Sequence, residues 1–199
     1  KVAIDGAFEG RNRLAYEVGK TYAHRVLEHD IEVLRSGKVI TILRLEEELK
    51  GTINVNGLNA NFKGYADRID RLSDGTVRLI DYKTGNPKTD SVKSVDDFAN
   101  PKTDHAFQLL MYAFLFHQQN PREVKLQPTV FYLRSNEVEK NITVSEEKQE
   151  LTEQMMLQYA EARMQEVVSE LFDESRPFVQ TDDGKTCRHC EFIQVCQRS

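Results

Sequence analysis

Apolar residues recur every three or four positions between residues 10 and 34 (Leu14, Val18, Tyr22, Val26, Leu27, Ile31, Leu34), which predicts a helix stopped by Ser36-Gly37. The period then falls to two. Residues 39–49 and 52–55 predict strands, Asn56-Gly57 a hairpin turn, and residues 59–72 the returning strand. Ser73-Asp74-Gly75-Thr76 is a second turn signal, after which residues 77–82 alternate again. Residues 86–102, polar and holding Pro87 and Pro101, predict a loop, and residues 105–118 a strongly apolar helix. Residues 129–133 and 138–144 predict two more strands. Ser145 reads as the N-cap of a long helix ending near Phe172, and the tail from Arg176 is irregular. The order is mixed α/β, without repeats.

A length of 199 residues suits one domain with its own core. No apolar run reaches a membrane span and no signal peptide opens the chain, so a cytoplasmic protein with no membrane partner is expected. Lys1 in place of Met reads as a piece of a longer polypeptide. The net charge of -5 taken as a sum disfavours a nucleic-acid partner, but its distribution changes the picture. Residues 137–174 hold eleven acids and three bases, a net -8, which leaves +3 for the rest. The acidity belongs to one late helix, and the remainder is mildly basic.

The chemistry lies in the hairpin. Asp81 and Lys83 are two apart on a predicted strand, so their side chains stand about 6–7 Å apart on one face. Asp67 comes from the partner strand. Paired carboxylates are costly to bury unless a cation joins them, and a hard divalent ion takes carboxylate oxygens. A solvated strand face with one salt bridge is the alternative for Asp-x-Lys alone. His24, on the first helix, can add an imidazole nitrogen, though a helical histidine is more often surface or core. Gly19-Lys20-Thr21 is no phosphate loop, because Leu14 stands where the first glycine belongs. Gln108 and Tyr112 share one helix face, suited to a nucleotide backbone or to ordering the lysine. Cys187, Cys190 and Cys196 are spaced like a metal knuckle one thiolate short. Their readings are an iron–sulfur cluster completed by a cysteine outside this chain, a zinc site completed by a histidine (His189 lies between two of them), or free thiols.

In this order the residues resemble the RecB-like branch of the PD-(D/E)xK nuclease superfamily, which includes AddB-type and CRISPR-associated exonucleases. The quoted motifs are His24; Gly64, Asp67, Arg68 and Asp70; Asp81-Tyr82-Lys83-Thr84; Gln108 and Tyr112; and the three cysteines. The resemblance implies a restriction-endonuclease-like α/β core, a mixed central sheet flanked by helices. Residues 1–180 would form the nuclease domain and 181–199 a cysteine-containing tail packed on it. It implies Mg²⁺ or Mn²⁺ held by His24, Asp67, Asp81 and the Tyr82 carbonyl. Lys83 would orient the attacking water, Gln108 and Tyr112 would support the site or touch DNA, and Arg68 and Asp70 would be structural. The implied activity is phosphodiester hydrolysis by a metal-activated water, in an exonuclease domain of a recombination or repair helicase–nuclease. The implied partners are DNA and a helicase domain or subunit. A [4Fe-4S] cluster would need a fourth cysteine from elsewhere, since none precedes Cys187. An inert nucleic-acid-binding module, or a cluster-stabilised docking module, is the alternative.

Overall fold

The computed structural model describes residues 10–88, 91–92, 103–123, 125–146, 149–150, 152–177, 179–182, 184–188 and 190–197. Helix α1 spans Gly10–Arg35 and leads into the hairpin of β1 (Ile40–Val55) and β2 (Leu58–Leu72). Strand β3 (Val77–Lys83) follows, then the two-residue β4 (Ser91–Val92) and helix α2 (Asp104–Gln119). Strands β5 (Leu126–Tyr132), β6 (Glu139–Asn141), β7 (Thr143–Glu146) and β8 (Gln149–Glu150) precede α3 (Glu153–Leu171) and the short α4 (Gly184–Cys187).

The central sheet runs β1-β2-β3-β5-β6. β3 and β5 are parallel with α2 as their crossover, whereas β1, β2 and β3 are antiparallel and so are β5 and β6. This is the mixed sheet flanked by helices that the resemblance implies. On one face Leu49, Ile69, Val77, Leu79 and Val130 pack with Leu109, Leu110 and Ala113 of α2 and Ala160 and Met164 of α3. On the other, Ile80, Phe131 and Leu133 meet Tyr22 and Val26 of α1. β3 is covered on both faces, so residues 77–81 are all buried, a continuous run rather than an alternation.

Three expectations are corrected. β1 is one strand of 16 residues, and Gly51 does not interrupt it. The run at 138–144 divides at Ile142 into β6 and β7. Helix α3 starts eight residues after Ser145: its N-cap is Thr152, whose side chain accepts from the Met155 amide, and Ser145 lies in a strand. Much of the loop predicted at 86–102 lies outside the described residues, as does His189.

Candidate active site

The β2–β3 ladder pairs Arg68 with Ile80, Ile69 with Leu79 and Asp70 with Arg78. Asp67 and Asp81 each lie one residue beyond the last pair of that ladder. Asp81 meets Gln108 of α2, and Asp67 is near enough for its charge to act on Asp81. Asp67 accepts a hydrogen bond from the Tyr82 amide through Oδ2 at 2.6 Å. Asp81 is 4% exposed. Lys83 Nζ lies 2.7 Å from Asp81 Oδ2, and the two form an ion pair. Burial pushes the Asp81 carboxyl above its ordinary value; Lys83 opposes the rise and the nearby charge of Asp67 adds to it.

Helix α2 supplies the next layer. Gln108 Oε1 accepts from Lys83 Nζ at 3.2 Å, while Gln108 Nε2 donates to Asp81 Oδ1 at 3.3 Å and to the Tyr112 hydroxyl at 2.6 Å. An ammonium against the amide oxygen and a carboxylate against its NH₂ fix which way the amide faces. The structure thus brings Asp67, Asp81, Lys83, Gln108 and Tyr112 together.

It does not bring His24 to them. Tyr22, Arg25, Val26, His29 and Asp30 are the α1 residues engaged with the sheet. Two positions from both Tyr22 and Val26, His24 stands about 200° round the helix from each. It is exposed, and its Nδ1 lies 3.2 Å from Glu28. Among the described residues no three His, Cys, Asp or Glu side chains gather around a common point that could hold a metal, the three cysteines included. Tyr82 sits between Asp81 and Lys83 with its ring on the α1 side, 5.8 Å from the Phe131 ring between centroids.

Two neighbours of the site carried no sequence expectation. Tyr132 pairs with Lys83 across the parallel ladder, and its hydroxyl is 3.0 Å from His105 Nδ1. Burial depresses the His105 imidazole pKa, Asp104 opposes this, and Lys88 and Lys83 add to the depression. The available signal was spacing, since His105 precedes Gln108 by three residues on α2.

The opposite face of β2 and β3 carries a separate charge network. Asp30 pairs with Arg68 at 2.7 Å, Arg68 with Asp70 at 2.7 Å, and Asp70 with Arg78 at 2.8 Å. Arg78 then reaches Glu139 at 3.2 Å, and Glu139 lies 2.6 Å from His29. A cavity of about 540 Å³ between α1 and residues 135–139 borders this network, away from the paired acids.

The donor set on the α2 side suits a hard divalent cation: two neighbouring carboxylates, one of them buried, and a single lysine against them. No curated protein matches the chain. A solved structure titled "Crystal structure of SSO0001" shows a distant likeness at 22% identity and a TM-score of 0.39, over 86% of this chain and 67% of that one. The sequence profile described as the PD-(D/E)XK nuclease superfamily matches residues 5–197, nearly the full length and both strands of the acidic hairpin, and the chain therefore belongs to that superfamily.

Proposed function

We propose that this nuclease domain hydrolyses DNA phosphodiester bonds with Mg²⁺ or Mn²⁺ held by Asp67 and Asp81. The observation that carries this reading is the buried Asp81 carboxylate, 2.7 Å from the Lys83 ammonium and within reach of the Asp67 charge. A hard divalent cation, when bound, supplies Lewis-acid polarisation of the phosphate and neutralises its charge.

The chain's own residues do the rest. Lys83 carries three N–H donors; one serves Gln108 and one faces Asp81, which leaves one for a water or a phosphate oxygen. Its ammonium stabilises negative charge that builds on the phosphorus oxygens as the water oxygen bonds to phosphorus and the bond to the leaving oxygen breaks. Solvent takes the proton that the attacking water sheds and supplies one to the leaving oxygen. Gln108 holds Lys83 and Asp81 at fixed separation, and Tyr112 holds Gln108.

The order of the motifs supports the RecB-like branch, and with it an exonuclease domain working beside a helicase. The same order offers His24 as a nitrogen ligand, which needs α1 to turn on its axis; Mn²⁺ affinity of His24→Ala decides the point. A loss of about tenfold or more adds His24 to the set, and unchanged affinity removes it.

The test is cleavage of end-labelled single- and double-stranded DNA with Mg²⁺, Mn²⁺ or chelator, by the parent, Asp81→Ala and Lys83→Ala. Cleavage that needs the cation and is lost in both folded variants is expected. Undiminished cleavage by either variant refutes the roles, and no Mn²⁺ binding at millimolar concentration marks an inert nucleic-acid-binding module.

A further inference from the structure

Gly64 on β2 is buried, and its backbone is ordinary extended strand, so no left-handed conformation explains a glycine there. Space explains it. A Cβ at this position would stand 2.2 Å from Tyr112 Cε1 and 2.8 Å from Cδ1, against the body of a ring rather than the end of a flexible chain. The Tyr112 ring is 5% exposed within the core between α2 and the sheet, so it has little room to retreat. Its hydroxyl accepts from Gln108 Nε2, and that same amide spans Lys83 and Asp81. Gly51, on the neighbouring strand, admits Leu115 and Gln118 of the same helix but is linked to none of the site's side chains.

We propose that Gly64 is a positioning residue: the Cβ it lacks is the space that seats Tyr112, and Tyr112 in turn fixes the Gln108 amide between Lys83 and Asp81. The kinetic consequence rests on the nuclease reading above, whereas the seating of Gln108 does not.

The experiment combines Gly64→Ala, Tyr112→Leu, their double variant and Gly51→Ala in protein labelled with ¹⁵N-glutamine. The Gln108 side-chain amide signals are assigned by their loss in Gln108→Ala. Gly64→Ala is expected to displace those signals and to lower kcat by about tenfold or more, with KM for DNA little changed. In the Tyr112→Leu background the same alanine should move neither the signals nor kcat by more than about twofold. Gly51→Ala should lower the melting temperature while leaving the Gln108 signals in place.

Unmoved signals in folded Gly64→Ala overturn the proposal. So does an equal loss in the Tyr112→Leu background, or an equal displacement by Gly51→Ala. If Gly64→Ala alone does not fold, a folded double variant supports the steric link and an unfolded one overturns it. If the parent cuts no DNA, the nuclease reading falls while the amide signals still decide the seating.

Discussion

Two charge clusters lie on opposite faces of the same two strands. On the α1 face three acids (Asp30, Asp70, Glu139) alternate with Arg68, Arg78 and His29 in an unbroken chain of contacts between 2.6 and 3.2 Å. On the α2 face two carboxylates, Asp67 and Asp81, stand with one lysine, which pairs with Asp81. The first cluster is closed and binds α1 to the sheet. The second is short of positive charge, which is what a cation site looks like before its ion is counted. Burial depth does not separate them, since Asp70 and Asp81 are 0% and 4% exposed. The balance of charge does: three acids meet three basic side chains on one face, and two acids meet one lysine on the other.

The sharpest test removes a partner from the closed cluster. Arg78 is 1% exposed, and Arg78→Met leaves the far side of Asp70 and one oxygen of Glu139 without their guanidinium. Breaking a buried pair from one side costs about 3–5 kcal/mol. Urea unfolding should show it, and a loss below about 1 kcal/mol would mean that the network is not what holds this face together.

The matching change in the open cluster should have the opposite sign. Asp81→Asn keeps the shape and removes a charge that the fold disfavours, so stability at neutral pH should hold or rise by about 1 kcal/mol while cleavage is lost. A destabilisation as large as that of Arg78→Met would make Asp81 a structural residue.

Acid separates the clusters again. Burial raises the Glu139 carboxyl, but His29 and Arg78 outweigh it and hold its pKa below the ordinary 4.5. Its contribution is present above that value and is lost as pH falls through the depressed pKa. Asp81, whose pKa is raised above 3.8, runs the other way: its favourable protonated state is lost as pH rises through its folded value. In urea midpoints from about pH 3 to about pH 7, Glu139→Gln should flatten the acid limb, and Asp81→Asn should steepen the net rise of stability with pH by removing the opposing slope. Identical profiles for the two variants would erase the distinction.

The hairpin's acids were legible because alternation, Asn56-Gly57 and Ser73–Thr76 fix the strands and their turns locally. The outward placement of His24 was not legible, since Leu27 and Ile31, three and seven residues on, count with Tyr22 and Val26 in the apolar period and only the packed helix leaves them exposed. The closed network was not. Asp30 and Arg68 are 38 residues apart, Arg78 and Glu139 are 61 apart, and His29 and Glu139 are 110 apart, so only the packed sheet brings them together. The start of α3 was missed for a different reason. Ser145 and Thr152 are both hydroxyl residues followed by an acid, and the choice between them falls to the short strands that claim residues 143–146 and 149–150. Gly51 misled because a glycine within an alternating run reads as a break, whereas here it clears room for Leu115 and Gln118.

The finest distinction concerns how one strand serves both clusters. Ala60, Phe62 and Ala66 of β2 pack on the α2 side and Gly64 faces Tyr112, but beyond Asp67 that side is taken by Ile69, while Arg68 and Asp70 turn to the α1 network. The faces exchange at Asp67. Across from it, between the pairs Leu45–Arg68 and Glu47–Ala66, stands Glu46 with φ of 50°, a left-handed residue inside a strand. A kink of this kind re-aims side chains next to a site, and a glutamate held in it costs about 1 kcal/mol that glycine does not. Glu46→Gly should therefore raise stability by about 1 kcal/mol with cleavage and Mn²⁺ affinity retained. Glu46→Ile, β-branched and ill suited to positive φ, should lower stability and weaken Mn²⁺ binding together, because straightening β1 returns Asp67 to the wrong face. If Glu46→Ile binds Mn²⁺ as the parent does, the kink does not decide which cluster Asp67 joins, and the exchange of faces is set by β2 alone.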